Sequence, residues 1–96
     1  MTYKELKIQV SKNAQVPLEI ADRAVEEVFQ TIKNALLRGE RLQIPAFGVF
    51  YVKTKKSRKV RTIHGKIEEL PSKKIPVFAP SKALKHEIES NTFKEE

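Results

Sequence analysis

The segment Lys53–Lys66 carries seven Lys and Arg side chains (Lys53, Lys55, Lys56, Arg58, Lys59, Arg61, Lys66) and no acid. Holding so many cations together costs self-repulsion that a counter-charged partner relieves. The fold therefore has to display this run, and the rest of the chain reads as the scaffold that places it. The chain holds 19 basic and 12 acidic residues, a net of +7. Outside the segment 12 basic residues face 12 acidic ones, so all the excess charge lies in this window. A run of lysines is often only a solvated loop. Seven cations within fourteen residues, with no acid between them, are instead the footprint of a polyanion binder.

At 96 residues the chain makes one small domain. A chain of this size buries only about 60–65% of its unfolded surface, so a lone core is marginal. With no Cys and two isolated histidines (His64, His86), neither a disulfide framework nor a structural zinc site is expected. No cofactor is implied. Oligomerisation is the remaining way to complete a small core. The N-terminus lacks the apolar core of a signal peptide. No apolar run approaches the roughly 20 residues of a membrane span. A soluble, cytoplasmic protein with no membrane partner is the expectation.

Taken in order, Thr2 to about Asn13 reads as a short helix, with Thr2 and Glu5 at capping-box spacing. Tyr3, Leu6 and Val10 share a face; Lys4, Lys7 and Lys12 lie off it. Pro17 opens a longer helix. Ile20, Ala24, Val28, Ile32 and Ala35 follow its 3.6 period, and Val25, Phe29 and Leu36 widen the stripe, so burial on more than one side is expected. Its polar face is acidic (Glu19, Asp22, Glu26, Glu27), which argues against a recognition helix lying in a DNA groove. Gly39 suits the helix end. Arg41–Ile44 alternates like a strand, Pro45–Ala46 turns, and Phe47–Lys55 is a second strand. Gly48 inside it signals a bulge or a close approach of another backbone. The basic arm follows, spanning about 53–74, with its tip near Thr62–Gly65. Lys66–Pro71 returns, and Ile75–Pro80 is extended, its prolines marking an edge strand. Ser81 caps a last helix from Lys82 to about Ser90, with Ala83, Leu84 and Ile88 inward. Asn91–Glu96 reads as a frayed tail.

Three strings in this order carry a resemblance. Ala46–Phe50 resembles the GFGxF signature of the bacterial HU and integration host factor (IHF) family. Arg58–Arg61 resembles the RKGR of its arm, and Ile75–Lys85 resembles its VPxFKPGKxLK. The match runs from Thr2 to about Ser90. The resemblance implies an α+β, HU/IHF-like single domain over residues 1–90. Its parts are an N-terminal helical pair, a three-stranded antiparallel sheet with an extended β-ribbon arm, and a short C-terminal helix. It also implies an intertwined dimer whose core takes in Val28, Phe29, Ile32, Leu36, Ile44, Phe47, Phe50, Val52 and Phe78. Two arms would reach around DNA through the minor groove.

Carried over by position, the DNA-binding residues are Lys53, Lys55, Lys56, Arg58, Lys59, Arg61, Thr62, Ile63, His64, Lys66 and Lys74. The backbone at Ala46 and Gly48, the start of the last helix (Ser81, Lys82, Lys85) and Lys4 add flanking contacts. The family's arm tip carries Asn-Pro, whose proline wedges between base pairs. Here the pair is Thr62-Ile63, so Ile63 reads either as an apolar wedge or as an ordinary strand residue. Ala46 and Val60 stand where the family has glycine.

The function implied is architectural: binding and bending duplex DNA with low sequence specificity, as a nucleoid-associated homodimer that helps organise the chromosome. RNA, or a site-preferring regulatory role on the same dimeric fold, is the alternative. An enzyme is not expected. Glu68 and Glu69 are adjacent and point to opposite faces of a strand, and no Ser-His-Asp or metal-binding constellation is present.

Overall fold

The computed structural model of the protein describes residues 1–91. The elements are α1 (Tyr3–Ala14), α2 (Leu18–Leu37), β1 (Leu42–Ile44), β2 (Gly48–Lys55), β3 (Arg58–Arg61), β4 (Ile67–Leu70), β5 (Lys73–Pro80) and α3 (Lys82–Ser90). They fall into two compact units, Met1–Ala35 and a second that begins at Leu36.

In the first unit, the Thr2 hydroxyl accepts from the Glu5 N–H at 3.1 Å and starts α1. Gln15, left-handed at φ 56°, ends it. The Gln15 N–H donates to the Lys12 carbonyl and the Val16 N–H to that of Ser11, as in a Schellman cap. Helix α2 begins at Leu18 rather than at Pro17. The Pro17 carbonyl accepts the first bonds, from the Ile20 and Ala21 N–H groups, so Pro17 sits outside the helix.

The buried apolar side chains among the described residues are Ala21 and Val25. Val25 belongs to the apolar stripe read in the sequence and Ala21 lies beside it; of the rest of the stripe, Ile20, Ala24 and Val28 are exposed, and Ile32 and Ala35 half-buried. The reason is where α1 lies. It covers the side of α2 that bears Asp22, Glu26 and Phe29. The Lys7 ammonium stands 2.5 Å from Asp22 and 2.8 Å from Glu26, and the Tyr3 and Phe29 rings meet edge to face at 5.9 Å. Hydrogen bonds from Lys7 to Asp22 and Glu26 raise its pKa above the ordinary lysine range.

In the second unit, Gly39 at φ 76° closes α2, its N–H donating to the Leu36 carbonyl. The strands pair antiparallel in the order β1-β2-β5. The β1–β2 turn places Pro45 second and Ala46 third, with Ala46 at φ 60° and the Phe47 N–H donating to the Ile44 carbonyl at 3.1 Å. This is the type II pattern, which favours glycine at its third position. Because Phe47 closes the turn, β2 starts at Gly48, and β1 starts at Leu42 rather than Arg41.

The β2–β5 register runs without a slip from Gly48↔Pro80 to Lys55↔Lys73, so Gly48 marks no bulge. It marks a close approach. A Cβ there would stand 2.6 Å from Phe78 Cε1 and 2.7 Å from the Ala79 carbonyl oxygen. Strand β5 is an edge strand, where Pro76 and Pro80 cost no ladder bond on the open side.

Directly opposed residues share a face. Leu42, Ile44, Phe50, Val52 and Phe78 therefore line one side of the sheet. The Phe78 ring lies 4.8 Å from that of Phe50 and 5.4 Å from that of Phe47. The Ser81 hydroxyl accepts from the Leu84 N–H at 3.0 Å and caps α3, while the Ser81 N–H donates to the Phe47 carbonyl. The three α3 residues expected to point inward divide: Leu84 is half-buried, whereas Ala83 and Ile88 are exposed, since a single chain offers them no cover. Asn91 is the C-cap of α3, donating to the Glu87 carbonyl, and so belongs to the helix end. The remainder of the expected tail, 92–96, lies outside the described residues.

Candidate nucleic-acid interface

The basic arm is a two-stranded ribbon. Its upper part pairs Arg58↔Leu70, Lys59↔Glu69, Val60↔Glu68 and Arg61↔Ile67. This register continues that of β2–β5 across a gap of two residues on each side, Lys56–Ser57 and Pro71–Ser72. Pro71 has no N–H to give to a ladder. At the tip, the Thr62 N–H donates to the Lys66 carbonyl at 2.8 Å and the Gly65 N–H to the Thr62 carbonyl at 3.0 Å. Gly65 takes φ 78°, the left-handed turn geometry that the sequence predicts there. Ile63 lies in this turn, outside both strands, and is fully exposed. His64 follows it, also exposed.

The pleat sorts the arm's side chains. At its base Lys53 and Lys55 share a face with Lys73 and Ile75, and Lys73 stands directly opposite Lys55. Lys74 pairs with Thr54 and points to the other face, where with Val52 and the α2 end (Leu36, Leu37) it borders a hollow of about 280 Å³. Further out, Lys59 and Arg61 share a face with Glu69 and Ile67, while Arg58 shares one with Val60, Glu68 and Leu70. The two acids lie beyond the acid-free window, on the returning strand.

Lys53, Lys55, Lys56, Arg58, Lys59, Arg61 and Lys66 are all exposed. Among the described residues the ion pairs are Lys7 with Asp22 and Glu26, and Arg38 with Glu40, so none engages the arm. Sequence reasoning misses Lys73. Alternation marks the faces of each strand, but only the register shows which lysine meets which. It also misses Arg41, whose guanidinium lies 5.6 Å over the Tyr51 ring.

Other candidate residues lie elsewhere. Ala46 is exposed in the β1–β2 turn and Gly48 is buried beside it. Lys82 and Lys85 are exposed at the start of α3, behind the capping Ser81. Lys4 is exposed on α1, in the first unit. Several residues assigned to a dimer core are open in the single chain: Val28 is 55% exposed, Phe29 48%, Phe47 44% and Phe78 40%. Ile32, Leu36, Ile44, Phe50 and Val52 are half-buried. No helix among the described residues is long and apolar enough to cross a membrane. No cluster of three or more His, Cys, Asp or Glu that could hold a metal occurs among them.

The model of the family described as bacterial DNA-binding protein matches residues 1–89. DNA-binding protein HU 1 of Bacillus subtilis is 37% identical over 89 residues, covering 92% of this chain and 97% of its own. DNA-binding protein HU of Staphylococcus aureus is 38% identical over 80 residues, covering 82% and 89%. Among solved structures, an Anabaena HU–DNA cocrystal structure superposes with a TM-score of 0.82 at 25% identity, covering 95% of this chain and all of that one. HU from Thermotoga maritima superposes at 0.65 with 28% identity, covering 92% and 98%.

Proposed function

The chain belongs to the bacterial DNA-binding protein family, and on that premise we propose that it is an architectural protein of duplex DNA, acting as a homodimer with low sequence specificity. It is a structural DNA-binding protein and not an enzyme. The observation that carries the reading is the β-ribbon with its seven exposed cations, none held in an ion pair among the described residues. Phosphates would neutralise them and release condensed counterions. The arm offers few groups suited to base edges, and minor-groove readout is degenerate, so unrelated sequences should bind alike.

Residues 1–90 act in this reading as one DNA-binding domain. A second copy covers the apolar side chains that each unit leaves open in one chain, Val28 and Phe29 in the first and Phe47 and Phe78 in the second. Burial of such surface is the main favourable term in association. Ile63, fully exposed at the tip, takes the place of the wedge that unstacks a base step and bends the duplex. The flanking duplex meets Lys4, the Ala46–Gly48 turn and the start of α3 at Ser81, Lys82 and Lys85. Association with the nucleoid of a bacterial cytoplasm follows.

The test is competition between random-sequence duplex DNA and duplex RNA of equal length for a labelled DNA. The A-form duplex presents a deep, narrow major groove and a shallow minor groove, so the RNA should compete poorly. RNA competing as well as DNA, or no DNA binding at low salt, would refute the proposal.

A further inference from the structure

The ladder opposes Lys55 on β2 to Lys73 on β5, with Lys53 two residues away on the same face. Directly opposed residues hold their Cβ atoms about 4.5–5.5 Å apart, and like charges so placed destabilise the sheet. All three lysines are exposed, and none of them is in an ion pair among the described residues. The pair is also the last rung before the ladder breaks at Lys56–Ser57 and Pro71–Ser72. The free ribbon is thus loaded with repulsion at the point where it has least backbone support.

Resting on the DNA-binding reading above, we infer that Lys55 and Lys73 together form a seat for a single backbone phosphate at the arm's base. The two ammonium groups converge on one anion, and Lys53 flanks it. A phosphate there turns two repelling charges into two charge-assisted hydrogen bonds. Occupancy therefore closes the weakest rung of the ribbon as the DNA docks, and Lys73 is a DNA-binding residue. Lys74, one residue on, points to the opposite face and does not take part.

The test uses two substitutions of one residue on the full chain, Lys73→Gln and Lys73→Glu, with Lys12→Gln as an exposed-lysine control on α1. Two readouts should move in opposite directions. In the absence of DNA, Lys73→Glu places a carboxylate opposite Lys55 and should raise the midpoint of thermal unfolding. On random duplex DNA the same variant should bind at least tenfold more weakly. Its log–log salt slope should be shallower by about 1–2, because one cation is removed and Lys55 is diverted to the new carboxylate. Lys73→Gln should lower the slope by about 1. Lys12→Gln should leave both readouts unchanged.

A merely structural role for Lys73 predicts that affinity follows stability, so a stabilised variant that binds as tightly as the parent overturns the inference. An unchanged salt slope in Lys73→Gln overturns it as well. If the parent protein itself fails to bind duplex DNA, it is the proposed function that falls. Steep, salt-dependent binding by the parent with no effect of either substitution removes the phosphate seat alone.

Discussion

Ala46 holds φ 60° at the third position of the β1–β2 turn, a conformation that glycine takes freely and alanine does not. Left-handed backbone costs an L-residue about 1–2 kcal/mol through the approach of Cβ to the following carbonyl. Ala46→Gly relieves that cost. It also frees the unfolded chain, which takes back about 0.4–1 kcal/mol. At the middle of each range the steric term is the larger, about 1.5 against about 0.7 kcal/mol, so the substitution should stabilise the fold by a net of about 0.8 kcal/mol. For a domain of this size that raises the unfolding midpoint by about 2–8 °C. Thermal unfolding followed by far-UV circular dichroism, at one fixed protein concentration because dimers unfold in a concentration-dependent way, measures it. Ala46 is exposed in the turn, so the shift cannot come from a cavity. An unchanged or lower midpoint would refute the argument from backbone strain. DNA affinity should rise with the same change if the Ala46 backbone meets phosphate, since the removed methyl lets the duplex come closer.

Gly48→Ala, two residues on, should act in the opposite sense. Its Cβ would meet the Ala79 carbonyl at 2.7 Å, and that oxygen belongs to the sheet. Overpacking of this kind costs about 1–3 kcal/mol, more than the roughly 0.5–1 that alanine gains over glycine in a strand, so the midpoint falls. Lys7→Gln removes the ammonium between Asp22, Glu26 and the Tyr3 ring and should lower the midpoint while leaving the DNA salt slope unchanged. Because the pKa of Lys7 is raised, its contribution is fully present below the ordinary lysine value of 10.5 and is lost only at more alkaline pH. The loss of stability in this variant should therefore be the same at pH 7 and pH 9. Ile63→Ala should leave affinity within a few-fold and reduce the bend, read as the end-to-end energy transfer of a doubly labelled duplex. An unchanged bend would remove Ile63 from the wedge role.

What is legible in the sequence is what local chemistry determines. Thr2 and Ser81 are caps because their hydroxyls reach the N–H three residues on, and both do so. Gly65 and Gly39 announce left-handed turns, and both take positive φ. The prolines at 76 and 80 place β5 at an edge. Gly48 signals either a bulge or a close approach, and the choice needs Phe78 and Ala79, some thirty residues away, to be in place.

Long-range pairing decides the rest. Lys7 reads as one more solvated lysine until α1 and α2 bring it to two carboxylates. Lys73 gains its meaning only from standing opposite Lys55. The α2 stripe from Ile20 to Val28 reads as core, yet of its members one chain buries Val25, together with Ala21 beside it, and leaves Ile20, Ala24 and Val28 exposed. Periodicity shows that a face is apolar without showing what covers it.

A basic ribbon that binds duplex DNA through its phosphates does so whatever the sequence. Fluorescence anisotropy with two unrelated random duplexes, titrated between about 50 and 200 mM salt, is the deciding measurement. Engagement of about 6–10 phosphates predicts that affinity falls by about 10³–10⁵ over that range, equally for both duplexes. A shallow salt dependence, a strong preference for one duplex, or weak binding at about 50 mM salt would rule out phosphate-dominated, sequence-indifferent binding.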